Sequence, residues 1–89
     1  MPLFVVERRY AKDLELTADV ADGINRINDD EEVRWLYSFL SQDKRKTYCL
    51  YEAPTDEAIR RAAERADLPA DVIIEVDAKV MPDGSVSAL

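Results

Sequence analysis

The chain has 89 residues, with 12 lysines and arginines against 19 aspartates and glutamates, a formal net charge of −7, no histidine and one cysteine. That length holds one domain. The missing histidine excludes a Ser-His-Asp triad, a Cys-His dyad and any histidine-based zinc or copper site within one chain, and a single cysteine forms no internal disulfide.

Hydrophobic residues at 47% beside charged residues at 35% describe a folding chain, since disorder pairs high charge with low hydrophobicity. The acidic balance makes nucleic acid and an anionic membrane surface unexpected as partners. The lone Cys49 and an N-terminus without a basic region before a long apolar run point to the cytoplasm.

In chain order, residues 3 to 10 open with Leu3, Phe4, Val5 and Val6, which predicts a strand. Thr17 is placed to cap a helix, with Asp19 in its first turn. Val20, Ala21, Ile24 and Ile27 then recur at helical spacing. Gly23 weakens that helix and suggests close approach to a sheet, and the acidic run from Asp29 to Glu32 at its C-terminal end predicts fraying there. Residues 33 to 40 and 47 to 53 predict two strands joined by a short polar loop, an antiparallel hairpin. Pro54 stops the second of them. Thr55 caps a second helix whose inner stripe is Ala58, Ile59, Ala62, Ala63 and Ala66. Asp67 to Pro69 ends it. Residues 72 to 76 predict a last strand, able to run on to Val80, and residues 81 to 89 are a turn and a loose tail.

The order βαββαβ is the ferredoxin-like pattern, an α+β fold with a four-stranded antiparallel sheet and two helices on one face. The expected domain is 1–80 with a tail at 81–89. The other sheet face has no cover from its own chain. Strict alternation along each strand assigns Glu7, Tyr48, Glu52 and Glu75 to that open face, with Trp35, Tyr37 and Phe39 from the second strand. Three carboxylates among aromatics suit a homodimer interface, or a cleft in which crowded like charges raise a carboxyl pKa. The candidate ligand-binding residues are therefore Glu7, Trp35, Tyr37, Tyr48, Glu52 and Glu75. Gly23 and Gly84 form no phosphate-binding motif, and no cofactor is expected.

Residues 33 to 41 (VRWLYSFLS) and 46 to 54 (KTYCLYEAP) resemble a small bacterial family of unknown function whose best-described members are called nickel-binding proteins. Glu57 to Arg60, Leu68 to Asp71 and Ile74 to Val76 extend the resemblance, as does the opening Phe4 to Arg8. It implies a ferredoxin-like chain that forms a dimeric α/β barrel, with two sheets facing each other. The metal-binding branch is rich in histidine, whereas matching positions here carry Arg34, Tyr37, Ala63 and Leu68. Cys49, Glu7 and Glu52 remain as potential metal donors, a set poor in the nitrogen that nickel favours. Three functions follow as expectations. One is a homodimer binding a small ligand between its sheets. Another is a metal-binding protein using Cys49 and carboxylates. The last is a cofactor-free dimeric-barrel enzyme of the oxygenase or isomerase type, with Glu7 or Glu52 as base and Trp35 or Tyr48 against the substrate.

Overall fold

The computed structural model describes residues 1–89. Its elements are β1 (Leu3–Arg9), α1 (Ala18–Asp30), β2 (Arg34–Leu40), β3 (Lys46–Glu52), α2 (Asp56–Arg65), β4 (Val72–Val76), β5 (Ala78–Val80) and β6 (Val86–Ala88). The first four strands form one antiparallel sheet in the order β2-β3-β1-β4. β1 and β3 are thus the central strands, with β4 at the edge beside β1 and β2 at the edge beside β3, as the ferredoxin-like pattern requires. No helix is long and apolar enough to cross a membrane.

The core lies between the sheet and the helices. Phe4 and Val6 of β1, Cys49 and Tyr51 of β3, and Ala58, Ile59 and Ala62 of α2 are buried together, with Ile27 of α1 and Trp35 of β2 packed against them. The inner stripe of α2 is buried, with Ala58, Ala62 and Ala63 around Ile59, one of the two largest fully buried side chains. Thr55 and Thr17 cap their helices as expected, each accepting at 3.2 Å from the third residue beyond, Ala58 and Val20 respectively.

The C-terminal end of α1 does not fray as the acidic run suggested. The helix continues through Asp30, and Glu32 turns the chain at φ 61°. Arginines of α2 pair with two of the four acids: Arg61 reaches Glu31 at 3.0 Å, and Arg65 reaches Asp30 at 3.0 Å and Glu31 at 3.6 Å. These cations supply locally what the helix dipole lacks at that end. Gly23 makes no close approach either, since a Cβ built there meets nothing within 4 Å.

Residues 78–88, read as a strand extension and a loose tail, form a separate hairpin of β5 and β6. Its Val80 and Val86 are largely exposed. The radius of gyration is 13.6 Å, against roughly 12 Å for a compact chain of this length.

Candidate functional site

The open sheet face is real, but its membership differs from the expectation at two of the six candidate residues. Directly paired residues in an antiparallel sheet share a face. Glu7 pairs with Tyr48, and Leu3 with Glu52, so Glu7, Tyr48 and Glu52 do lie on the open face. Tyr37 pairs with Leu50 and Phe39 with Tyr48, which puts both rings there as well. The Tyr37 and Phe39 centroids are 5.6 Å apart in an edge-to-face arrangement, favourable for aromatic pairs.

Trp35 is on the other side. The register of β2 against β3 shifts between Trp35 and Tyr37, leaving Leu36 as an extra residue, and Trp35 pairs with buried Tyr51. A β-bulge inverts the alternation on one side of itself. The Trp35 indole faces α1 and donates to Ser38 Oγ at 2.9 Å. Glu75 is also on the helix side, because it pairs with Phe4, while Ile74 pairs with Val5 and faces outward. The apolar side chains of β4 thus divide between the two faces, instead of Val72, Ile74 and Val76 all turning to the helices.

The carboxylate cluster consequently does not assemble. Glu7 and Glu52 are four register positions apart along β1, about 13 Å at about 3.3 Å per residue. Glu7 accepts instead from Arg9 Nε at 2.7 Å. Cys49 pairs with Ser38 on the helix side, buried, its thiol donating to Thr47 Oγ1 at 3.5 Å. It is therefore separated by the sheet from Glu7 and Glu52. No three acids or cysteines come together as a metal site. The donors present do not fit a nickel centre within one chain. Of the residues expected in an enzyme arrangement, Trp35 does not share a face with the glutamates, whereas Tyr48 does, paired directly with Glu7.

The helix side holds two features that residue-type reasoning passed over. Arg8 is 3% exposed and donates to the Pro69 carbonyl and to the Tyr51 hydroxyl. The second is a cleft of about 550 Å³ under the N-terminal half of α1, with Leu16, Val20, Trp35 and Leu40 in its walls. The signal available in the sequence was phase: Arg8 and Tyr10 continue the every-second-residue series of Phe4 and Val6, the core side of β1. Burial pushes the phenols of Tyr10 and Tyr51 above the ordinary value. Opposing this, Tyr10 is lowered by its hydrogen bond with Thr47 and Tyr51 by the neighbouring Arg8 charge.

A βαββαβ chain with one bare sheet face defines a ferredoxin-like α+β domain. A comparison with protein families goes further: residues 4–76 match the family described as nickel responsive protein, SCO4226-like, and the chain belongs to that family. Among solved structures it is similar to SCO4226 from Streptomyces coelicolor A3(2), at 29% identity and a TM-score of 0.64, over 83% of this chain and 94% of that one. No curated protein matches.

Proposed function

We propose that the chain works as a homodimer in which the open faces of two copies meet to form a dimeric α/β barrel, with a small molecule bound between the sheets. One observation carries this reading. Every buried strand residue of the four-stranded sheet faces the helices, while Tyr37, Phe39, Tyr48 and Ile74 stand outward with 54%, 67%, 39% and 55% of their surface exposed. A contiguous aromatic and aliphatic patch of this kind marks an interaction surface. Glu7, Glu52 and Arg34 at its ends supply polar, charged groups around the apolar centre. The ligand-contacting residues in this reading are Tyr37, Tyr48, Glu7 and Glu52. The free, buried thiol of Cys49 supports a reducing, cytoplasmic setting.

Light scattering at micromolar concentration tests the assembly. The wild-type chain is expected at twice its monomer mass, and Phe39→Glu at the monomer mass with unchanged circular dichroism. A monomeric wild type overturns the reading.

A further inference from the structure

The cleft under α1 is on the opposite side of the sheet from the proposed dimer face, and the geometry points to a second binding site there for an uncharged, largely apolar small molecule. Its volume of about 550 Å³ is within the range of about 300–1,000 Å³ typical of small-ligand sites. One wall is the segment leading into α1, with Leu16, and the first turn of that helix, with Val20. The other is the helix side of the sheet, with Trp35, Leu40 and Cys49. Hydrogen bonds hold the end wall: Tyr10 N donates to Arg45 O at 2.8 Å and Leu14 N to Lys44 O at 2.7 Å, tying the loop after β1 to the β2–β3 turn. The cleft is thus part of the hydrogen-bonded framework.

Three apolar side chains around it remain wet in the free chain. Leu16, Val20 and Leu40 are 44%, 48% and 50% exposed. They converge on one opening, so one occupant covers all three. Asn28 is the only buried residue of α1, so the N-terminal half of the helix, which carries Val20 and Ile24, presents apolar surface to the cleft that the core does not cover. Wall chemistry sets the class of that guest. The polar groups satisfy one another: Tyr10 Oη with Thr47 Oγ1 at 2.8 Å, Trp35 Nε1 with Ser38 Oγ at 2.9 Å, and Cys49 Sγ with Thr47 Oγ1 at 3.5 Å. The two charged lining residues, Glu15 and Lys44, have opposite signs. The two lining charges cancel, so the cleft carries no excess charge to offset the hydration that a charged guest would lose. The Tyr10–Thr47 pair shares one hydroxyl proton and keeps the other to orient a single polar atom.

Trp35 is the only tryptophan and lines the cleft, so its fluorescence reports occupancy. The full chain is titrated with n-octanol and, separately, with octanoate. The expected result is a saturable change with octanol, half-complete at or below about 1 mM, and at least about tenfold weaker binding of octanoate. Val20→Glu puts a carboxylate at the mouth, in the first turn of α1 where the dipole tolerates it, and should weaken octanol at least about tenfold. Phe39→Glu, on the opposite face, should leave octanol binding unchanged whether or not the dimer forms. No saturable change, octanoate binding as tightly as octanol, an unaffected Val20→Glu protein that remains folded by circular dichroism, or loss in Phe39→Glu overturns the proposal.

Discussion

The guanidinium of Arg8 lies 5.6 Å from the centre of the Tyr51 ring and donates to that residue's hydroxyl at 3.2 Å. Both residues are buried between the sheet and the helices, and Arg8 makes no ion pair with a carboxylate. The cation is accommodated by the Tyr51 ring, the Tyr51 hydroxyl and the Pro69 carbonyl, which together offset part of the desolvation cost. Arg8 also joins the β1 strand to the segment between α2 and β4. Arg8→Ala should therefore cost about 2–4 kcal/mol by urea unfolding, because it opens a cavity and strands the Pro69 carbonyl and the Tyr51 hydroxyl. Arg8→Met keeps the apolar stem and should cost distinctly less. A loss below about 0.5 kcal/mol for Arg8→Ala would show that the contact is not stabilising.

Alkaline pH should weaken the fold through Tyr10 and Tyr51. Both phenols are raised by burial, so the folded chain holds protons that the unfolded chain sheds near its ordinary value of about 10. Their contribution is fully present below that pH and is lost as pH rises through the folded-state values. Urea midpoints measured from about pH 9 to about pH 11 should fall, and Tyr51→Phe should flatten the fall. An equal slope in the variant removes Tyr51 from the account.

Gly23→Ala should stabilise the protein by about 0.5–1 kcal/mol. The position is inside α1, and the added methyl meets no atom within 4 Å. Thermal unfolding followed at the helix signal checks this, and a lowered midpoint would mean that the position needs glycine for a reason other than space.

A chain ending at Asp77 should keep the fold of the four-stranded body. The hairpin of β5 and β6 pairs within itself, and the family match ends at residue 76. Circular dichroism and urea unfolding should place the shortened chain within about 0.5 kcal/mol of the full one. A larger loss would assign the hairpin a structural contact with the body.

Nickel should produce no saturable heat in calorimetry at micromolar concentration, since Cys49 is separated by the sheet from Glu7 and Glu52. Stoichiometric binding that disappears in Cys49→Ala would reverse this conclusion and make Cys49 a ligand.

The sequence by itself determined the order of the first six elements, both threonine caps, the hairpin between the second and third strands, and the open-face positions of Glu7, Tyr48 and Glu52. Each of these depends on local signals: cap chemistry, turn residues, and alternation along strands without irregularity. The positions of Trp35 and Glu75 were decided by tertiary structure. A bulge at Leu36 changes phase without any glycine or proline to announce it, and the face of a short apolar strand such as β4 depends on its register against β1. The acidic end of α1 was settled the same way, by arginines from α2 that lie 30 and 35 residues further along the chain than the acids they pair with. Buried Arg8 and the cleft under α1 likewise arise only where residues distant in sequence meet. Periodicity records which way a side chain points along a regular element; what it meets there is fixed by long-range pairing and packing.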